Sequence, residues 1–409
     1  MNKKILQYKW GSNSDEILKR SLAELGYEVI TYSKVCEHYT KDLGFAQGLI
    51  NLIHEHDVCG VISNDYFPII SMVCNTVGIP YYSWVYDSPH YTLFASTSKY
   101  SCNRIGCFDR ALVERLNNLG IDTVFHLPLG VDWSDHSVFG PINDVDVGNK
   151  DSCENNKHKD DVSFVGSLYT DKYNYYDNLL DDEILKQKAK GIIKDQLFEY
   201  KEDHIKDFFM DGSGDGTDPE IANRAKALIY KNDLFPGDEY IEDIEYIFDS
   251  HFLEKKVTVE ERRILLNEIA KRDYDLALYT GSDLSKEPGL KKVCRGYVDY
   301  QREMPEVFLN SRINLNISLR SIKTGIPLRA LDIMGCGGFL LSNYQEEFKE
   351  FFSEGEELVM FYSLEDCLEK IDYYLEHEDV RKSIAMAGKR AVEERFKYRY
   401  QLKRLLDMD

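Results

Sequence analysis

Short apolar runs alternate with amphipathic stretches through the first half of the chain. Residues 4–8 (Lys-Ile-Leu-Gln-Tyr) read as a strand and residues 10–13 as the loop that leaves it. Ser14-Asp15-Glu16 then has the composition of a helix start, with a hydroxyl to cap backbone N–H groups and acids in the first turn. Ile17, Leu18, Leu22 and Leu25 recur at helical spacing, Gly26 stops the helix, and residues 27–32 are strand-like, which predicts an opening β-α-β unit. Further strands are expected at 58–62, 81–85 and 123–127, with a helix over 110–119. Strands alternating with helices imply a parallel sheet covered on both faces.

From 134 to 161 the chain turns to Asp, Asn, Gly, Ser and Lys, the composition of an interdomain linker. A second α/β series follows, with strands expected at 162–167, 276–279, 313–317, 339–342 and 357–361. Between about 173 and 271 the pattern is charged and helical without strand alternation, which predicts a helical insertion, and the tail from 363 reads as two or three helices. The expected organisation is an α/β protein of two Rossmann-like domains, residues 1–150 and 151–385, with 386–409 as a terminal helix.

Composition narrows the picture. A chain of 409 residues exceeds what one core usually supports, and 43% hydrophobic with 12% aromatic residues is enough to pack two. The formal charge of −21 disfavours nucleic acid and anionic lipid, so any phosphate-bearing ligand needs a concentrated basic site. No run approaches the ~18 apolar residues of a membrane span, so no transmembrane segment and a cytoplasmic location are expected. Nine scattered cysteines read as reduced thiols.

Open parallel sheets bind ligands beyond the carboxyl ends of their strands, so the residues that follow each strand carry the candidate chemistry. Gly166-Ser167 follows one strand, where glycine permits close backbone approach and the hydroxyl can meet phosphate. Residues 320–338 are the densest stretch: Arg320, Lys323 and Arg329 place three cations within ten residues, beside Thr324 and a helix expected to start at Leu328 after Gly325 and Pro327. Asp332 lies on the helical face of Arg329, positioned to accept ribose hydroxyls or to pair with that arginine. Gly335, Gly337 and Gly338 end the helix, whether or not they also touch ligand.

In the first half, Asp87 and His90 follow the strand at 81–85, as turn residues or as a general base facing a cleft. Asn64 and Asp65 follow the strand before it, and Trp10, Gly11 and Asn13 follow the first strand, all candidates for the acceptor side or the cleft. Asp144-Val145-Asp146 has the Asp-X-Asp form of metal-holding transferases but falls in the linker, and the Asp-Gly run at 211–218 resembles a calcium loop with Ala222 where a glutamate should stand. Neither is read as a metal site, so no metal and no cofactor are expected.

The second half, through Ile326-Pro327-Leu328-Arg329-Ala330-Leu331-Asp332-Ile333-Met334-Gly335-Cys336-Gly337-Gly338-Phe339-Leu340-Leu341, resembles the CgeB-like, group 1 glycosyltransferases. The first half, through Gly78-Ile79-Pro80-Tyr81-Tyr82-Ser83-Trp84-Val85-Tyr86-Asp87-Ser88-Pro89, resembles the domain commonly fused to them. The resemblance implies a GT-B fold, a nucleotide-diphosphate sugar such as a UDP-sugar held by the C-terminal domain, an acceptor held by the N-terminal one, and a last helix crossing back. In related retaining enzymes two glutamates separated by seven residues contact sugar and ribose; here Asp332 matches the second, while Thr324 stands at the first. The missing carboxylate favours inversion, with Asp87 or His90 as base.

Sugar transfer passes an oxocarbenium-like state while charge gathers on the departing diphosphate, which Arg320, Arg329 and helix N-terminal amides could stabilise without metal. The expected activity is transfer to a hydroxyl of a glycan, a lipid-linked glycan or a protein such as flagellin or a spore or surface component. A nucleotide-sugar epimerase or hydrolase of the same fold, or a non-catalytic surface-glycan assembly protein, are the alternatives.

Overall fold

A computed structural model describes residues 3–133, 160–214 and 216–407. The Asp144-Val145-Asp146 motif, the expected 150/151 boundary and Asp215 lie outside the described residues. Around the last, Asp211 Oδ1 accepts from Ser213 N and Gly214 N at 2.9 and 3.0 Å, a surface turn closed on itself.

Two parallel sheets of six strands each organise the described chain. The first comprises β1 (Lys4–Tyr8), β2 (Glu28–Tyr32), β3 (Val61–Asn64), β4 (Tyr81–Val85), β5 (Asn103–Cys107) and β6 (Val124–His126), in the order β2-β1-β3-β4-β5-β6. The second comprises β7 (Asp160–Val165), β8 (Leu276–Tyr279), β9 (Cys294–Gly296), β10 (Ser311–Asn316), β11 (Leu340–Asn343) and β12 (Val359–Phe361), in the order β12-β11-β10-β7-β8-β9. In each sheet the first strand lies between neighbours reached in opposite directions, which opens a crevice at its carboxyl end.

The apolar runs form the strands because helices bury both faces: Ile5, Leu6, Val61, Ile62, Ile313 and Leu341 are fully buried. The opening β-α-β unit forms with helix Asp15–Glu24 and Gly26 in the left-handed region, although Ser14 makes no capping bond. Asp15 instead turns its carboxylate back to accept from Gly11 N at 2.9 Å. β3 starts later than expected because the chain makes its turn at Gly60, where an added Cβ would meet Pro80 O at 3.2 Å. β5 carries no apolar run, yet it pairs with both β4 and β6, and its Gly106 lies where a Cβ would meet Leu127 Cδ2 at 2.6 Å.

Between β7 and β8 the chain is helical, with longer helices Glu183–Gln196, Pro219–Lys231 and Lys255–Ala270 around their own core of Leu185, Phe208, Ile229, Phe248 and Phe252. This helical segment also touches the first sheet's side: Arg115 donates to Asp243 at 2.7 Å, and Tyr91 stacks on Tyr240 with centroids 5.8 Å apart. Helix Tyr398–Leu406 returns to the first half, where Tyr398 packs on Trp84 at 4.8 Å and its N–H donates to Val131 O at 3.0 Å.

A second junction is polar. Asp109, buried just after β5, accepts from Lys323 N, Thr324 N and Thr324 Oγ1 at 2.8, 3.1 and 2.9 Å. Thr324 Oγ1 also lies 2.9 Å from Glu347 Oε1, whose second oxygen meets His126 Nε2 at 2.9 Å. No side chain fits at Gly325, where an added Cβ would meet Phe108 O at 2.7 Å. All eight described cysteines are free thiols.

Candidate active site

A cavity of about 390 Å³ opens at the carboxyl ends of β7 and β8. Its lining includes Gly166 and Ser167, Thr280 and Ser282, Tyr297 and Tyr300, Asp171, Asp283 and Arg329, with Asn13 contributed by the loop after β1. Its size lies within the roughly 300–1,000 Å³ of small-molecule sites. Ser167 Oγ accepts from Tyr169 N at 2.9 Å and Ser282 Oγ from Leu168 N at 2.8 Å, so two hydroxyls fix the turn after β7.

Behind that turn lies Arg262, a residue that the charged helical pattern of its surroundings concealed. Its buried guanidinium donates to Ser167 O at 2.5 Å and to Ile317 O from Nε at 3.1 Å, and it packs over the Tyr169 ring at 4.9 Å. Main-chain carbonyls carry no full charge, so this cation has no carboxylate partner of its own among the described residues. Burial pulls its pKa below the usual guanidinium value, opposed by Tyr169 and assisted by Arg329. Arg329 lines the cavity together with Asp171 and Asp283, while Arg262 stands outside the lining and adds its charge through the turn.

Arg329 follows the start of helix Leu328–Cys336, which begins where Pro327 predicts it. Its Nη1 contacts Met304 Sδ and lies 3.5 Å from Asp332 Oδ2. Asp332 is buried and does not line the cavity; its Oδ1 accepts from Tyr300 Oη at 2.9 Å and from Trp133 Nε1 at 3.2 Å. Burial pushes its pKa up to about 6 against the pull of Arg329 and the two donors. Asp332 therefore orients Arg329 and Tyr300, which face the cavity.

The rest of the 320–338 segment faces other surroundings. Arg320 pairs with the buried Glu261, donating from Nε at 2.9 Å, and stacks on Tyr200 at 4.0 Å. Lys323 reaches Asp203 at 2.9 Å and Glu254 at 2.5 Å. Arg320, Lys323 and Thr324 line a separate cavity of about 220 Å³ against the helical segment, and all three are committed to protein partners. Gly337 takes φ +94° to end the helix, and a Cβ at Gly338 would meet Asn314 Nδ2 at 2.7 Å, so both lie in packing and line neither cavity.

On the first sheet, a third cavity of about 270 Å³ lies at the carboxyl ends of β1 to β4 and gathers Trp10, Asp65, Asp87 and His90. Asp65 has a left-handed backbone with φ +60°, and its Oδ1 accepts from Tyr86 N at 2.9 Å and Asp87 N at 3.1 Å. Burial pushes its pKa up; His90 opposes the rise and Asp87 adds to it. His90 Nε2 lies 3.2 Å from Tyr66 N and 2.8 Å from Thr92 Oγ1, contacts that hold the ring at the cavity. Asp65, Asp87 and His90 each bring a ligand-type atom within 4.8 Å of the others, a set that can pass a proton or hold a divalent cation.

Asn64 and Gly11 are framework residues of the same region. Asn64 O accepts from Trp10 Nε1 at 2.8 Å, its Nδ2 donates to Asp15 Oδ1 at 3.2 Å, and Gly11 has φ +101°. Among the described residues no helix is long and apolar enough to cross a membrane.

Residues 260–407 match the family described as glycosyl transferase-like. No curated protein matches the chain. Among solved structures, the chain is similar to the sucrose-phosphate synthase of Thermosynechococcus elongatus at 10% identity, covering 99% of this chain and 98% of that one, with a TM-score of 0.55. A glycosyltransferase from Rickettsia africae ESF-5 aligns at 13% identity over 99% and 97% of the two chains, with a TM-score of 0.49. Anabaena HepE in complex with UDP and glucose aligns at 10% identity over 99% and 98%, also at 0.49. The chain thus has the GT-B fold, built on two parallel six-stranded sheets, and its residues 260–407 match the glycosyl transferase-like family.

Proposed function

We propose that this protein is a CgeB-like glycosyltransferase that moves a sugar from a nucleotide-diphosphate donor to an acceptor hydroxyl, with inversion and without a metal. The observation that carries the reading is the cavity beyond β7 and β8, where the Gly166-Ser167 turn meets Arg329, with Arg262 bonded to Ser167 O behind it. On this reading residues 1–150 form the acceptor side, 151–385 the donor side, and 386–409 the closing segment, which holds the end of helix Glu378–Arg395 and helix Tyr398–Leu406. The donor diphosphate lies between the turn and Arg329, and the base rests against Tyr297.

In the step itself, the acceptor oxygen attacks the anomeric carbon as Asp87 takes its proton. The bond from that carbon to the diphosphate oxygen breaks, and the electron pair leaves on the diphosphate. Arg329 holds that oxygen and Arg262 adds positive field from behind the turn, the preorganised stabilisation on which such a step depends. Inversion is supported by Thr324, which stands where retaining relatives place a glutamate and is bonded to Asp109.

Incubation with a panel of UDP-sugars and hydroxyl acceptors, with UDP release and glycosylated product followed together, tests the proposal. Product with inverted configuration at the anomeric carbon supports it. UDP release without acceptor points to a hydrolase, and absence of any UDP-sugar binding to a non-catalytic role.

A further inference from the structure

We infer that the cavity on the first sheet receives an unphosphorylated pyranose, so that the acceptor hydroxyl belongs to a saccharide rather than to a lipid phosphate or a protein side chain. The inference rests on the proposed transferase reading and names the substrate class of its acceptor side.

The rings at this cavity are exposed to an unusual degree for their size. Trp10 is 41% and Tyr39 46% exposed, although both line a concave site. Phe67 is buried and joins them: its ring centroid lies 6.3 Å from that of Trp10 and 5.8 Å from that of Tyr39. The Trp10 indole is fixed by its Nε1 bond to Asn64 O, so its face is presented without the cost of ordering it. Flat, electron-rich faces attract the weakly positive C–H groups that line one face of a pyranose.

Hydroxyl recognition is available beside the rings. Asp65 and Asp87 supply carboxylate acceptors, and His90 adds an imidazole nitrogen beside them. A sugar hydroxyl both donates and accepts, so it can satisfy both kinds of group at once.

Charge argues against a phosphate. Neither Asp65 nor Asp87 forms an ion pair with Lys or Arg among the described residues, and of the two lysines that line the cavity Lys9 is paired with Glu16, which leaves Lys34 against two carboxylates. A phosphoryl group would be brought against two carboxylates, a repulsion that a neutral saccharide avoids. The cavity, about 270 Å³, lies below the usual range for larger ligands, which suits a single ring with the remainder of a glycan outside.

The test is a titration of the full chain with methyl glucoside, methyl galactoside and N-acetylglucosamine, with and without UDP, followed by saturation-transfer NMR and tryptophan emission. Of the three tryptophans Trp10 lines this cavity and Trp84 and Trp133 do not, so a change in emission on adding saccharide is read at Trp10. At least one of the saccharides is expected to bind, and Trp10→Ala and Tyr39→Ala each to weaken it by about tenfold or more, with UDP affinity unchanged. The inference is overturned if none of the three binds, if both variants bind as wild type does, or if binding in a Trp10-dependent manner is found only for a serine-rich peptide or for phospholipid vesicles. Failure of the wild-type protein to bind UDP would sink the donor reading instead, and the two results are read separately.

Discussion

Thr324 donates its hydroxyl to Asp109 Oδ1 at 2.9 Å, across 215 residues of sequence, and so joins the loop before helix Leu328–Cys336 to the turn after β5. The loop that looked like a phosphate cradle is, over Lys323 to Gly325, a seam between the two halves of the fold. Replacing Thr324 by Val leaves the buried Asp109 with main-chain donors only and is expected to cost about 1–2 kcal/mol of stability. Gly325→Ala forces a Cβ against Phe108 backbone and is expected to cost about 1–3 kcal/mol. Denaturant unfolding of the two variants checks both, and wild-type stability in Gly325→Ala would show that the seam yields.

Arg320 is expected to act in folding and not in donor binding. Arg320→Met strands the fully buried Glu261 carboxylate and should destabilise the protein by about 3–5 kcal/mol. Adding Glu261→Gln should restore part of that loss. Unfolding curves read the stability and calorimetry reads UDP affinity, which should not change in any variant that folds.

The pH dependence of Asp332 follows from its burial. Its pKa in the folded protein, about 6, lies above the roughly 3.9 of an unfolded aspartate, so folding takes up a proton between those values. Its contribution to stability is therefore full below about pH 4 and lost as pH rises through about 6. Asp332→Asn lacks this dependence and should gain roughly 2–3 kcal/mol relative to wild type between pH 4 and pH 7, measured by denaturant unfolding at both. An unchanged difference between the two pH values would remove the assignment.

Asp87→Asn should lower product formation by roughly 10²–10⁴-fold, the usual range for loss of a general base, with UDP affinity retained. Chelation with EDTA should leave wild-type turnover unchanged. Loss of turnover on chelation, restored by a divalent cation, would give Asp65, Asp87 and His90 a metal-binding role in place of proton transfer alone.

The α/β alternation was legible because buried parallel strands are apolar runs, and β1, β4 and β8 fall where those runs lie. β5 was not, since Asn103-Arg104-Ile105-Gly106-Cys107 gains its place from pairing on both sides and from a glycine that admits Leu127. In the site, Gly166, Ser167 and Arg329 stand out by position after strands and do meet in one cavity. Arg320 and Lys323 stood out for the same reason, but their charges are answered by Glu261, Glu254 and Asp203 from the helical segment, partners that no local spacing reveals. Arg262 gave the opposite signal: one arginine in a charged helix, distinguished only by the two carbonyls it meets after folding.

The central claim is that the cavity at Gly166, Ser167 and Arg329 holds the donor diphosphate. Calorimetric titration of UDP into wild-type protein and Arg329→Ala tests it most directly. The account predicts saturable binding to wild type and roughly 10–100-fold weaker binding to the variant, the weight of a charge-assisted hydrogen bond. Equal affinity in the two proteins would contradict it.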